Sequence, residues 1–406
     1  MLPHLPETSS GTSYTLRHAS AVLEDRVLED ATMVIREGRI AGIGTADSVV
    51  AEGEIFDLSG HVLLPGLIDT HLHGALGHDF MEGSEDAVSI ICRTHAAGGT
   101  TSLLATTVTE TIPRIVQVLQ ALDQARQRQS AGGARILGTH VEGPYMSPER
   151  PGVHDIKKML HPTQETVTAL ADAGGPVRIM TFAPELPGAL VLLEELAARG
   201  ILGSGGHSDA WDEEARAAFD AGMRRVTHTF NCMSTARKRG ALRVAGLLEF
   251  ALSEPAITCE LIADGIHVSP TLMRMLYRAK GVDGICLITD ASAGCHMPEG
   301  EPFLIAGRQC VVSEGKAVTV EGNTLAGGIL TMITAVRNMV SMVGVPLVEA
   351  VRMATVNPAR ALGMGDEIGA LKPGARADFL VLKPDLNLIA TYIDGAPVYL
   401  APPASS

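Results

Sequence analysis

No CxxC pair occurs among the six cysteines, Cys92, Cys232, Cys259, Cys286, Cys295 and Cys310. Their scatter through a long chain points to buried or free thiols and not to a disulfide framework. No apolar run reaches about 18 residues, so no membrane span is expected. The first ten residues, MLPHLPETSS, lack a basic stretch followed by an apolar one. They read as a frayed tail and not as a signal peptide, and a cytoplasmic location is expected. Positive charge is scarce: 32 Lys and Arg stand against 46 Asp and Glu, a formal net charge of −14. That argues against a nucleic-acid partner, whose footprint is a basic patch. It leaves an anionic small molecule open, because a few local cations hold one phosphate. No fixed-period repeat or low-complexity segment stands out.

What is present is a chain of 406 residues, 46% hydrophobic and 19% charged, enough for one large barrel domain and a smaller unit. The runs YTLRHASAVLED, TMVIREGRIAGIG and EIFDLSG near the N-terminus, and ADFLVLKPDLN and IATYIDGAPVYL near the C-terminus, read as short strands. Between them, strand-like runs alternate with Ala/Leu/Glu/Arg-rich helical ones. The strand candidates are HVLLPGLIDTHLHG, GGTTSLLATTV, ARILGTHVEGPY, VRIMTFAPE, ILGSGGHSD, RRVTHTFN, AITCELIADGIHV and GICLITDAS. Eight alternations predict an α/β fold, a (β/α)₈ barrel spanning residues 61–364. The stretches 12–60 and 365–402 are expected to form a small β-sandwich subdomain.

In such a barrel the chemistry lies at the C-terminal strand ends. His71, His73, Glu142, His207, His228, His267 and Asp290 collect there. His71 and His73 are two apart in a strand, so their imidazoles face one side. With Glu142, His207 and His228 they make a nitrogen and oxygen donor set suited to Zn²⁺ or Fe²⁺. Asp290 suits the general base that accepts a proton from water and returns it to a leaving amine. Each residue alone has a plainer reading: a surface or hydrogen-bonded core histidine, a solvated glutamate, an N-cap aspartate. The conjunction of six at the ends of strands one, three, five, six and eight is what points to a metal site.

The segments PGLIDTHLHG, HVEGPY, GHSDA, THTFNCM, ADGIHV, ITDAS and NTLAGGILTM occur in this order. Together they resemble the N-acetylglucosamine-6-phosphate deacetylases of the amidohydrolase superfamily. The resemblance implies one metal on Glu142, His207 and His228, a second on His71 and His73, and Asp290 as catalytic acid/base. It implies substrate contacts from Val153, His154, Asn231, Cys232 and His267, and a closing loop at Leu325, Ala326 and Gly327. It also implies a homodimer, with an amino-sugar phosphate as the small-molecule partner. Strand four has no Lys of the kind that bridges metals in many binuclear relatives, which argues against cyclic-amide hydrolases. One segment departs from the family pattern. After Asn231 and Cys232 the chain reads MSTARKRGALRVAG, where the family carries an Arg-Glu-Pro-Gly segment. Arg237, Lys238, Arg239 and Arg243 are the candidate phosphate anchors, Arg239 and Arg243 foremost, and a solvated basic turn is the plainer reading. An N-acyl-D-amino acid or an unphosphorylated N-acyl sugar is the competing substrate. A catalytically dead binding protein on this fold would need a broken ligand set, and this set is intact.

Overall fold

The computed structural model describes residues 5–6, 13–128, 132–322 and 324–402. Most of the expected N-terminal tail, and Asn323 of the NTLAGGILTM segment, lie outside the described residues.

Eight parallel strands form the barrel sheet in sequence order. They are β1 (Leu67–Leu72), β2 (Thr100–Thr106), β3 (Arg135–Glu142), β4 (Val177–Phe182), β5 (Leu202–Gly205), β6 (Arg225–Val226), β7 (Thr258–Ile262) and β8 (Ile285–Ile288). The ring closes between β8 and β1. The Asp290 N–H donates to the His71 carbonyl at 2.9 Å, and Leu72 bridges Ala291 in parallel. Beneath that seam the buried carboxylate of Asp69 accepts from the Thr289 hydroxyl at 2.5 Å. Helices such as Ile112–Arg128, Asp212–Asp220 and Pro270–Lys280 cover the barrel. Their apolar stripes meet the outer strand faces in one large core, with Phe182, Leu192, Leu196, Ile262 and Leu276 fully buried or nearly so. Each such side chain contributes about 1.5–3 kcal/mol.

The HVLLPGLIDTHLHG run, read as one strand, divides at Gly66. Val62–Pro65 joins the small sheet, pairing with Phe379–Leu382 and with Ser20 and Ala21. Only Leu67–Leu72 enters the barrel. A Cβ on Gly66 would stand 2.2 Å from the Thr101 hydroxyl, so the crossing from one sheet to the other requires glycine. The small unit is one hydrogen-bonded sheet of eight strands built around Tyr14–Val22. Segments from both chain ends bury a common apolar face: Tyr14, Leu16, Met33 and Phe56 pack with Phe379 and Tyr392. The Phe379 and Tyr392 rings stack at 4.5 Å.

One element escaped the sequence reading. Pro302–Ile305, Arg308–Ser313 and Lys316–Thr319 form an antiparallel meander inserted after β8. Its inner face, with Phe303, Ile305, Val312 and Ala317, packs on Val108 and Val153 at the barrel mouth. Among the described residues, no helix is long and apolar enough to cross a membrane.

Candidate active site

The expected donors converge at the C-terminal mouth of the barrel. Glu142, the last residue of β3, is the hub. Its Oε1 lies 3.2 Å from His228 Nε2, 3.3 Å from His207 Nε2 and 3.4 Å from His71 Nε2. Its Oε2 lies 3.3 Å from His73 Nε2 and 3.5 Å from His154 Nε2. Asp290 Oδ1 stands 3.2 Å from His73 Nε2 and 3.5 Å from His71 Nε2. All of these residues are buried. His207, His228 and Asp290 follow the ends of β5, β6 and β8 with φ of 46°, 28° and 49°. This left-handed region costs a non-glycine residue about 1–2 kcal/mol. Here it turns three strand ends so that their side chains meet over the barrel axis.

The hydrogen-bonding partners sort the histidines by tautomer. His71 Nδ1 faces a Glu260 carboxylate oxygen at 3.0 Å, and His207 Nδ1 faces the Arg150 carbonyl at 2.9 Å. Both partners are acceptors, so Nδ1 carries the proton and Nε2 offers a lone pair to the cluster. His154 is the reverse. The Thr109 N–H donates to its Nδ1 at 3.1 Å, so its Nε2 carries the proton and acts as a donor. His154 is therefore a hydrogen-bond donor to this site and not a ligand.

The residues fit a divalent ion. His207 Nε2 and His228 Nε2 face each other at 3.0 Å beside a carboxylate. His71 Nε2 is buried with no hydrogen-bond partner. A tetrahedral ion with bonds of about 2.1 Å sets its ligands about 3.4 Å apart. The donor separations here, 3.0 to 3.5 Å, match that spacing. The field points the same way. Burial pushes His71 down, but Glu142, Glu260 and Asp290 outweigh it and raise its pKa well above the ordinary value. Burial pushes Asp290 up, but His71 and His73 hold it well below the usual carboxylate range. The ionised carboxylates that favour a positive charge on His71 favour a bound cation in the same space.

A cavity of about 290 Å³ opens above the cluster. His73, Glu142, His154, His207, His228, His267 and Asp290 supply its polar floor, and Asn231 and Cys232 one wall. Val108, Val153, Ile305 and Leu325 supply apolar walls. His267 Nδ1 donates to Asp264 at 2.7 Å, which fixes the orientation of the ring. Gly327, at φ 71°, presses on the Asp290 carbonyl: a Cβ there would lie 2.9 Å from that oxygen. Ala326, expected at the substrate, is instead fully buried among Ala293, Phe303 and Ala317.

Arg239 and Arg243 do not line this cavity. They lie on an exposed hairpin, Arg237–Arg239 paired with Leu242–Val244. Arg237 and Arg239 stack on the Trp211 ring, 3.8 and 4.1 Å from its centroid. Arg237 also pairs with Asp209, and Arg239 with Glu213. Lys238 and Arg243 form no ion pair with any described residue. Arg239 is thus committed within its own chain, and the uncommitted cations of the segment are Lys238 and Arg243.

The amidohydrolase family model matches residues 62–398. The chain belongs to the amidohydrolase family. Similar curated proteins of this family include the N-acetylgalactosamine-6-phosphate deacetylase of Escherichia coli O157:H7. It is 34% identical over 94% of this chain and 98% of that protein. The N-acetylglucosamine-6-phosphate deacetylase of Bacillus subtilis is 32% identical over 94% of this chain and 96% of its own length. Among solved structures, a mutant N-acetyl-D-glucosamine-6-phosphate deacetylase from Mycobacterium smegmatis bound to N-acetyl-D-glucosamine-6-phosphate superposes with a TM-score of 0.89. It is 32% identical, and the match covers 96% of this chain and all of that one. The motif resemblance to N-acetylglucosamine-6-phosphate deacetylases and the predicted barrel are thereby borne out.

Three participants at the amidohydrolase site were missed in the sequence. Glu260 and Arg225 sit in β7 and β6, both essentially inaccessible to solvent, and His140 in β3 packs against His71 at a ring separation of 4.6 Å. A charge in the middle of an apolar barrel strand, as in ITCELIA, was the signal that could have found Glu260.

Proposed function

We propose that the chain hydrolyses the acetamide of N-acetylglucosamine 6-phosphate to glucosamine 6-phosphate and acetate. The observation that carries this reading is the buried cluster in which Glu142, His207, His228, His71 and His73 surround one space beside Asp290. Glu142, His207 and His228 would hold the main ion and His71 with His73 a second. The nitrogen and oxygen donors favour zinc, with Fe²⁺ the other fit. A bound divalent ion supplies Lewis-acid polarisation of the amide carbonyl and makes water easier to deprotonate.

This chain's own residues do the rest. Asp290, ionised at neutral pH, accepts the proton of the water whose oxygen bonds to the acetyl carbon. His154 donates its Nε2–H to the carbonyl oxygen as negative charge gathers there. The C–N bond then breaks, and Asp290 returns the proton to the departing nitrogen. The immediate products are acetic acid and an amine; at neutral pH the acid's remaining proton passes to the nitrogen, giving acetate and an ammonium group with no proton left over. Asn231, Cys232, Val153 and His267 shape the sugar pocket, and the Leu325–Gly327 segment covers it. Lys238 and Arg243 serve as phosphate anchors for the site of a second copy of the chain, which makes the working form a homodimer. The substrate is a soluble sugar phosphate, in keeping with a cytoplasmic enzyme.

The test is acetate release from N-acetylglucosamine 6-phosphate, its galactosamine epimer and unphosphorylated N-acetylglucosamine, with metal analysis of the same sample. A strong preference for the phosphorylated gluco sugar supports the reading. Preference for the galactosamine epimer would place the specificity with that of the Escherichia coli relative. Activity on none, with metal present, would move the substrate to another N-acyl compound such as an N-acyl-D-amino acid.

A further inference from the structure

We infer that Glu260 is a positioning residue for the metal site, fixing the tautomer of His71 and the backbone of His228 with one carboxylate that Arg225 holds in place. The inference rests on the reading of His71 and His228 as ligands.

Glu260 lies in the middle of β7, fully buried below the donor cluster. Its Oε2 accepts two bonds: from His71 Nδ1 at 3.0 Å and from the His228 backbone N–H at 3.0 Å. These partners stand at the ends of β1 and β6. Its Oε1 accepts from Arg225 Nε at 3.0 Å. Arg225 in turn donates from Nη2 to the Thr70 hydroxyl at 2.6 Å, on the residue before His71. One carboxylate and one guanidinium therefore tie β1, β6 and β7 together directly beneath two ligands.

The chemistry requires an acceptor on this side. A neutral imidazole has one lone pair, and the proton on His71 Nδ1 leaves that lone pair on Nε2, aimed at Glu142 and Asp290. His228 has a further need, since its left-handed backbone is pinned through the same oxygen. Arg225 is a donor only, so it holds the carboxylate but cannot replace it. An amide at position 260 would be frustrated in either orientation. With its oxygen toward Arg225, its NH₂ meets the His228 N–H and forces the proton of His71 onto Nε2. With its NH₂ toward Arg225, donor meets donor there instead.

A buried ion pair adds little to stability beyond what packed apolar side chains give in its place. That permits a clean test with zinc as the probe. Zinc content and affinity, by chelator competition, are measured for the wild-type chain, His71→Ala, Glu260→Asp and the double variant Arg225→Met with Glu260→Met. Melting of the metal-free proteins monitors the fold. The double variant removes both charges and leaves no unpaired ion. Glu260→Asp keeps the pair with Arg225 but draws the carboxylate away from His71 and His228.

His71→Ala is expected to lower zinc content, and the position 260 variants to weaken zinc at that position about 10–100-fold with melting of the metal-free protein little changed. Wild-type zinc affinity in a folded double variant, or in Glu260→Asp should the double variant not fold, overturns the inference and leaves the ligand reading standing. Zinc binding indifferent to His71→Ala overturns both.

Discussion

The two ends of the proposed substrate meet very different protein. At the acetamide end the donors are buried, and three of the imidazoles are held by a second residue: His71 by Glu260, His207 by the Arg150 carbonyl, His154 by the Thr109 N–H. At the phosphate end the candidate cations lie on an exposed hairpin, with Leu242 beside them 69% exposed. The first end is preorganised by one chain. The second offers only exposed cations, Lys238 and Arg243, with no ion pair to any described residue. Bond-breaking chemistry needs geometry fixed to fractions of an ångström, whereas a doubly charged phosphate needs only cations within reach.

That contrast is broken hardest at the buried end. His207→Ala, or exhaustive chelation of the native protein, is expected to abolish deacetylation, with metal content of the variant falling in parallel. Metal analysis checks it, and full metal in His207→Ala would remove this residue from the ligand set. Asp290→Asn should come next. It keeps the size of the side chain and loses the proton acceptor, so kcat falls about 10²–10⁴-fold while metal stays bound. Near-normal turnover would end the acid/base assignment.

The hairpin should respond differently. The Lys238→Ala and Arg243→Ala pair is expected to raise KM for the phosphorylated sugar about tenfold or more, as loss of a charge-assisted hydrogen bond does. It should leave kcat nearly unchanged, and it should not affect an unphosphorylated sugar. An equal loss on both sugars would contradict the division of labour between the two ends.

The same division marks what the sequence reveals. The spacing His71-Leu72-His73 and the strand-end positions of Glu142, His207, His228 and Asp290 were legible because parallel strands project side chains by a fixed rule. The eight strands were legible for the same reason. What could not be read was set by partners distant in sequence. The His154 tautomer depends on an N–H 45 residues away, and the role of Glu260 on strands 35 and 189 residues away. Gly66 was hidden because Val62–Pro65 runs straight on into the apolar Leu67 and Ile68, although the two strands belong to different sheets. The Pro302–Thr319 meander was hidden because its strands are short and only partly buried. Ala326 was placed at the substrate by motif and Arg239 by its charge in a segment that departs from the motif, whereas burial and the Trp211 stack decide where they sit.

The smallest effect expected is one of stability, and it falls on the support beneath the mouth. His95 lies in the helix Glu85–Ala96, buried, with its Nε2 donating to the Gly74 carbonyl at 3.1 Å. Burial pushes its pKa down to about 4 from the ordinary 6.5. Between those values the unfolded chain takes up a proton that the folded chain refuses. The unfolded state therefore binds more protons, and stability falls as pH drops from 6.5 towards 4. The full window corresponds to at most about 3 kcal/mol. His95→Gln keeps a donor for the Gly74 carbonyl and removes the titration. Its denaturation midpoint should vary less with pH across this window than that of the wild-type chain. An identical pH slope would show that His95 titrates alike in both states, and would shift the acid sensitivity of the scaffold to the cluster above it.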